Sequence, residues 1–251
     1  MRRALALAAM LALAACGSAW GLTAEIGKDY VSATAQLRPR VLPPHGGAPL
    51  TLSSVTRIGT RDGSSPAPLK TLQFLFDKHG YVDAKGVPVC TMAKLEGTTP
   101  AVARKRCAGA LVGTGVGKGI VTMPGQSPVE VSSPLSFFNG PPVRGLPTVI
   151  VHGYETIPAA KTLLVPIVIE RIKHGRYGYR ARIEVPPIAD GYGSATLATG
   201  KIGLTHKHDG REVGFLNAYC AGGRLQVYGT LSFVNGNFFP AVIASPCHSP
   251  H

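Results

Sequence analysis

The sequence predicts an all-β protein, mainly antiparallel, with a β-sandwich or jelly-roll-like architecture. Polar and apolar residues alternate with a period of two in many segments, as expected for strands with one buried face. The 31 glycines and 21 prolines make up about a fifth of the 251 residues, which favours turns over long helices. No helical pattern alternates with the strands, as a parallel α/β fold would require. With 45% hydrophobic and 16% charged residues, disorder is excluded.

The strand candidates follow one another at short spacing. The clearest is 176–185, where Tyr177, Tyr179, Ala181, Ile183 and Val185 share one face. Segment 163–172 is apolar on both faces, and Pro166 within it favours a bulge or an edge position. The other candidates are 22–27, 31–37, 50–58, 72–77, 111–123, 129–138, 148–154 and 225–233.

Two dipeptides predict tight hairpins. Asp209-Gly210 separates 205–208 from 211–215, and Asn235-Gly236 separates 231–234 from 237–242. Both dipeptides tolerate the positive φ of a type I′ turn. Two-residue loops would pair Leu204 with Phe215 and Phe233 with Phe238.

A short helical excursion is predicted between Cys90 and Cys107. Residues 92–96 and 99–106 form two helical turns, with Thr99 as N-cap and Pro100 at the first helical position. A disulfide between the two cysteines would close this excursion onto the sheet.

Residues 1–19 are typical of an export signal. Two arginines precede an apolar run of twelve residues, which is too short to span a bilayer. The run ends in Leu13-Ala14-Ala15-Cys16-Gly17, which resembles the lipobox of bacterial lipoproteins, where Cys16 would receive a diacylglycerol. The alternative is ordinary cleavage after Ala19. We therefore expect an exported protein at the outer face of the cytoplasmic membrane or outside the cell, held to the membrane only through the lipid.

No other segment approaches the roughly 18 apolar residues of a membrane helix. Residues 20–251 are predicted to form a single large β-sandwich-type body, with two smaller pairs of sheets as the alternative. Four cysteines remain after either cleavage, and an even number in an exported chain predicts disulfides. Three pairings are open, and proximity in the sequence favours Cys90 with Cys107 and Cys220 with Cys247.

The chain carries a formal charge of +13, and one strand concentrates part of that charge. Its outward face would present Arg176, Arg180 and Arg182, with Arg171 and Lys173 just before the turn. Such a stripe attracts anionic polymers, and export points to anionic envelope polymers or lipid head groups rather than nucleic acid. The competing interpretation is that Glu170 and Glu184 pair with these arginines locally.

No catalytic, metal or cofactor site is predicted. The run 113–119 is rich in glycine but lacks P-loop spacing, so we interpret it as a bare strand face that suits close backbone packing or a bulge. Segment 77–83 is a turn rather than a calcium loop, because Tyr81 stands where an oxygen ligand belongs. His206 and His208 could share a strand face, but a solvated hairpin end is favoured.

The chain resembles a group of exported proteins of high-GC soil actinobacteria that has no established activity. The similarity extends through most of the chain that follows the leader. It implies export and the cysteine framework, and it supplies no catalytic residues. The segments that carry it are 69–80, Cys90, Lys94-Leu95, Thr98-Thr99-Pro100, Cys107, 110–115, Phe138-Asn139-Gly140, 175–178 and Tyr219-Cys220.

Three functional hypotheses follow. The first is a non-enzymatic binding or structural module of the cell envelope, with anionic polymers as ligands. The second is a carrier that holds an apolar ligand or lipid between its sheets, for which a contiguous apolar cavity would be the distinguishing sign. The third is a hydrolase with an unfamiliar site, which a cleft with a perturbed carboxylate or histidine would favour. The sequence leaves the oligomeric state open.

Overall fold

The computed structural model describes residues 20–208 and 210–250. In this part of the chain, strands dominate and the helices are short. The helices are α1 (Met92–Leu95) and α2 (Pro100–Arg106), with single 3₁₀ turns at Ala108–Ala110 and Ile188–Gly191. The strands are β1 Trp20–Ile26, β2 Asp29–Arg38, β3 Ala48–Pro49, β4 Thr51–Thr60, β5 Leu69–Asp77, β6 Gly80–Val82, β7 Leu111–Val121, β8 Val129–Val143, β9 Leu146–Glu155, β10 Lys161–His174, β11 Tyr177–Glu184, β12 Gly193–Ile202, β13 Thr205–His208, β14 Arg211–Gly214, β15 Leu216–Ala218, β16 Arg224–Phe233 and β17 Phe238–Pro246.

Twelve of these strands form one sheet, in the order β1-β2-β4-β12-β7-β8-β9-β10-β11-β5-β16-β17. Every neighbouring pair in it is antiparallel. The sheet curls until its two outermost strands, β1 and β17, lie against each other. Its two halves therefore face one another across a shared interior, and the predicted all-β class is confirmed.

The core follows from the period of two along each strand. On β8, Phe137 points into the interior and packs with Val149 and Ile167. Its neighbour Phe138 points to the opposite face, where it packs under the helices with Ile150. The same alternation makes a second interior cluster, in which Val31 of β2 and Ile58 of β4 pack against side chains of β16 and β17. Those are Leu231, Phe233 and Phe239.

The helical excursion is confirmed. A Cys90–Cys107 disulfide closes it, and Ala103 and Leu95 are fully buried against the outer face of β8 and β9. Helix α2 begins at Pro100 with Thr99 at the N-cap position, as predicted. The Thr99 side chain makes no capping bond; its carbonyl accepts the Ala103 N–H at 2.9 Å.

A three-stranded sheet, β3-β15-β6, lies at one end of the interior. We call these strands, residues 48–49, 80–82 and 216–218, the cap. The second predicted disulfide, Cys220–Cys247, fastens the chain just after β15 to the segment that follows β17. Leu42, Leu50 and Leu225 pack around these cysteines, so the cap and the sheet share a small apolar cluster.

Two expectations about strands need correction. Strand β12 was not predicted, although it is central, because its sequence is made largely of glycine, alanine and threonine and shows little hydrophobic alternation. The pairing of Phe233 with Phe238 was also wrong. Ser232 pairs with Phe238 instead, because the loop has three residues and Gly236 takes a φ of 88°. This is the geometry of a three-residue hairpin loop.

Other local predictions hold. In the first hairpin, Thr205 pairs with Gly214 and the register is the one that a two-residue loop requires, although Asp209 itself lies outside the described residues. Pro166 lies in the stretch of β10 that pairs with β9, ahead of Ile169, where pairing with β11 begins. Its missing N–H is therefore tolerated at what is locally an edge.

The glycine run also has the predicted structural role. It forms β7, with a register irregularity between Leu111 and Gly113. A Cβ added at Gly113 or Gly115 would collide with backbone carbonyl oxygens of β12. The run therefore permits a close approach of two backbones, as glycine does in strands.

Candidate ligand-binding cavity

An apolar cavity of about 110 Å³ lies between the cap and the inner face of the sheet. Strands β6 and β15 of the cap line it along their whole length, and Val82 and Ala218 are among their contributions. The sheet contributes side chains from many strands, since its inner face is continuous there. These include Leu37, Leu52, Phe76, Ile169, Ile202 and Val227.

Its size is notable for a native interior. Protein cores contain few voids larger than a water molecule. A dry, aliphatic and aromatic cavity of roughly 150 Å³ in another protein accommodates benzene or xenon. The volume and the lining therefore suit a small apolar ligand, or one apolar group of a larger ligand.

The cap is held to the neighbouring loop by Tyr81. Its hydroxyl donates a hydrogen bond to the Gly46 carbonyl at 3.0 Å, and its ring occupies the space beside Gly47. Burial raises the pKa of Tyr81 above its usual value of 10. Next to this contact, the Cys220 N–H donates to the Pro43 carbonyl at 2.8 Å. The cavity wall is thus fixed by a hydroxyl, by a backbone bond and by the neighbouring disulfide.

Asp77 is the charged residue at the cavity wall, and it is almost completely buried. Its Oδ2 accepts hydrogen bonds from Nε of Arg176 at 2.8 Å and from the Gln226 N–H at 3.1 Å. Its Oδ1 accepts the His79 N–H at 3.1 Å. The carboxylate therefore joins the end of β5 to β11 and β16, and its oxygens are engaged in that structural task.

The imidazole of His79 lies beside the Asp77 carboxylate. Its Nδ1 lies 2.8 Å from Oδ1 of Asp77, at an ion-pair distance but not in line for a hydrogen bond. The ring packs edge-on against Tyr219, with centroids 4.9 Å apart. The turn predicted over 77–83 is confirmed only in part. Lys78 and His79 form a turn between β5 and β6, whereas Gly80–Val82 is strand β6 itself, paired with β15. The carboxylate of Asp77 is bonded to protein donors.

The predicted basic stripe is present on β11, but its arginines are paired with carboxylates. Arg180 binds Glu170 at 2.7 Å and Arg182 binds Glu184 at 2.7 Å, while Arg176 is held by the buried Asp77. The Arg182 hydrogen bond is the main cause that lowers the pKa of Glu184. The structure therefore shows the local pairing that was the competing interpretation. Arg171 and Lys173 are exposed, and anion binding by the stripe stays a prediction.

A second group of cations, which the sequence analysis missed, borders a groove on the outer face of the sheet. The groove has a volume of about 410 Å³ and lies between α2 and strands β7, β8 and β12. Arg104 and Lys201 line it, together with Thr114 and Thr199. The sequence did not indicate that Arg104 and Lys201 lie close together, because the strand that carries Lys201 was itself not predicted.

A buried histidine lies beneath the helical excursion. His152 is fully buried, and its Nε2 lies 3.0 Å from both the carbonyl oxygen and the hydroxyl of Thr98. Its Nδ1 has no hydrogen-bond partner. Burial lowers the pKa of His152 below its usual 6.5, which keeps the ring neutral at pH 7.

The structure tests the remaining predicted sites only in part. Cys16 lies outside the described residues, so its lipidation stays a prediction. His206 is half-buried on β13, and burial lowers its pKa. Within residues 20–208 and 210–250, no group of three or more histidine, cysteine or acidic side chains is arranged to hold a metal ion.

Fold and cavity together define the class: an all-β protein with two disulfides and an apolar cavity beneath a small cap. Disulfides are typical of an oxidising, extracytoplasmic compartment. In the described part of the chain, no helix has the length and apolarity needed to cross a membrane. No protein-family model, curated protein or solved structure matches the chain.

Proposed function

We propose that this chain is an exported binding protein that holds a small apolar molecule, or one apolar group of a larger lipid, in the cavity beneath the cap. The observation that supports this most directly is the cavity itself, with its largely apolar lining from both the sheet and the cap. A contiguous apolar cavity with few polar groups is the usual form of a site for such ligands.

The volume limits the ligand. A cavity of about 110 Å³ is of the size that accepts a single aromatic ring or a short branched chain. A whole lipid would therefore leave most of its length outside, with one apolar end beneath the cap. The carboxylate of Asp77 is not available to a ligand, because its oxygens accept hydrogen bonds from Arg176 and from two backbone N–H groups.

Export supports this assignment of ligand class. The leader and the two disulfides both indicate an extracytoplasmic protein, where poorly soluble molecules must be carried through water. We propose in addition that Cys16 is lipidated, which would keep the cavity close to a membrane surface.

Benzene is a suitable probe for the cavity. We expect benzene to raise the melting temperature of the protein, because a ligand that binds only the folded state stabilises it by RT ln(1 + [L]/Kd). Ala218→Val places two more carbons in the cavity. This substitution should abolish the benzene effect and stabilise the unliganded protein by about 1.6 kcal/mol, since each buried carbon contributes roughly 0.8 kcal/mol.

Ala244→Val is the matched control. Ala244 is a half-buried strand residue on β17 that does not line the cavity, so its substitution should leave the benzene effect unchanged. The proposal is refuted if benzene does not stabilise the wild-type protein. It is also refuted if Ala218→Val destabilises the protein by 1–3 kcal/mol, because that is the cost of overfilling a core that has no void.

The intact mass of protein purified from its own host tests the export proposals. A mass that begins at Cys16 and includes a diacylglycerol would support the lipid anchor, and a lipid-free mass that begins near Trp20 would refute it. Reduction should add four hydrogens for the two disulfides. A mass that retains residues 1–15 would refute export itself.

A further inference from the structure

The groove beside α2 has the composition of an anion site. Arg104 from the helix and Lys201 from β12 line it, and Thr114 supplies a hydroxyl group. None of the described residues that line the groove carries a carboxylate. Nor does either cation take part in an ion pair anywhere in the described part of the chain.

This distinguishes the groove from the stripe on β11. There, each of the three arginines is paired with a carboxylate, so its charge is largely neutralised. The exposed cations of α2, Lys105 and Arg106, lie next to Arg104 and add to the positive field at the groove. Arg104 and Lys201 therefore keep a positive charge that no carboxylate of the described part of the chain neutralises.

Arg104 is held in position by the protein. Its Nε donates a hydrogen bond at 2.9 Å to the hydroxyl of Ser136, which is fully buried on β8. That bond leaves the two terminal nitrogens of the guanidinium for a ligand, and they can bind a carboxylate or phosphate through two parallel bonds. The helix itself is fixed by the Cys90–Cys107 disulfide and by Ala103. Binding of a ligand therefore costs little side-chain conformational entropy at Arg104.

The dimensions of the groove favour more than a bare ion. Its volume of about 410 Å³ exceeds the space that a phosphate or sulfate occupies and lies within the range of small-ligand sites. The groove is shallow and polar. The Thr199 hydroxyl is engaged with the backbone of Val116, from whose N–H it accepts a hydrogen bond at 2.9 Å. The Thr114 hydroxyl makes no hydrogen bond in the described structure, so it can meet a hydroxyl of a sugar ring.

We propose that this groove binds one acidic sugar unit of an anionic polysaccharide, with Arg104 and Lys201 on the acidic group. The site is separate from the apolar cavity, which lies on the inner face of the sheet. The chain would then have two ligand sites: one for an apolar group beneath the cap, and one for an anionic glycan outside the sheet.

Binding of oligogalacturonate to the purified chain, followed by isothermal titration, tests this proposal. We expect the affinity to fall steeply with added salt. Arg104→Ala and Lys201→Glu should each weaken binding about tenfold or more, the loss that follows removal of one charge-assisted contact. Lys201 is exposed and makes no hydrogen bond with its side chain in the described structure, so its variant should fold normally.

Three controls decide the outcome. The double variant Arg180→Ala/Arg182→Ala removes two cations from the stripe and should leave affinity within about twofold of wild type, because those charges are already paired. An equal loss in this variant would overturn the proposal in favour of unspecific attraction. Equal binding of an uncharged oligosaccharide, or equally tight binding of inorganic phosphate, would also overturn it.

Discussion

The two disulfides offer a direct test of how the cavity is built. They span 17 and 27 residues of sequence. The chain-entropy relation assigns about 3.2 kcal/mol of stability to Cys90–Cys107 and about 3.6 kcal/mol to Cys220–Cys247, which are nearly equal contributions. Only Cys220–Cys247 packs in the apolar cluster that includes Ala218 and Leu225, two residues of the cavity wall.

We therefore expect the double variants to differ in ligand binding but not in stability. Cys90→Ala/Cys107→Ala and Cys220→Ala/Cys247→Ala should each lower the free energy of unfolding by about 3 kcal/mol in urea denaturation. Benzene at 100 times its Kd should stabilise the wild type by about 2.7 kcal/mol. The Cys90→Ala/Cys107→Ala variant should retain that gain. The Cys220→Ala/Cys247→Ala variant should lose most of it, because its cap is no longer fastened.

The comparison has a clear refuting result. If both double variants keep the full benzene gain, the cap does not depend on its disulfide and the account of the cavity wall is wrong. If the Cys90→Ala/Cys107→Ala variant alone loses the gain, the ligand binds beneath the helices rather than beneath the cap.

Three further predictions concern charged and titratable groups. Because burial lowers the pKa of His152, the folded state binds fewer protons than the unfolded state, so stability should decrease as the pH falls below about 6.5. Between pH 7.5 and 5.5, the free energy of unfolding should decrease less in His152→Gln than in the wild type. An equal decrease in the two proteins would contradict this. Asp77→Ala should lower the free energy of unfolding by about 3 kcal/mol in the same denaturation assay, because it leaves Arg176 and two backbone N–H groups without their acceptor. A decrease below about 1 kcal/mol would show that the carboxylate does not hold the three strands together. Arg180→Ala should change stability by less than about 1 kcal/mol, since its pair with Glu170 is nearly half exposed, and a larger loss would mean that the pair is more than a surface contact.

The strand pattern was predictable wherever one face of a strand is apolar and the other polar. Strand β11 is an example, since its alternation alone indicates which residues are buried. Strand β12 was not predictable, because glycine, alanine and threonine fit either face of a sheet and leave the hydrophobic signal flat. Its position in the middle of the sheet depends on pairing with β4 and β7, which are distant in the sequence.

The candidate sites show the same division. Proximity of cysteines was enough to predict both disulfides, because short loops cost little entropy to close. The charge stripe on β11 was also visible, but the sequence could not decide whether Glu170 and Asp77 would neutralise it. That depended on the register of β10 and β5 against β11, which brings each carboxylate to an arginine.

By itself, the sequence determined the all-β class, the helical excursion, the cysteine pairs and the expectation of export. These features depend on local periodicity, turn residues, short loops and a leader, all of which are written within a few residues of one another. The tertiary structure alone decided where the apolar cavity lies and which cations remain unpaired. Both depend on side chains from strands far apart in the chain, and their meeting is fixed by the order and curl of the sheet.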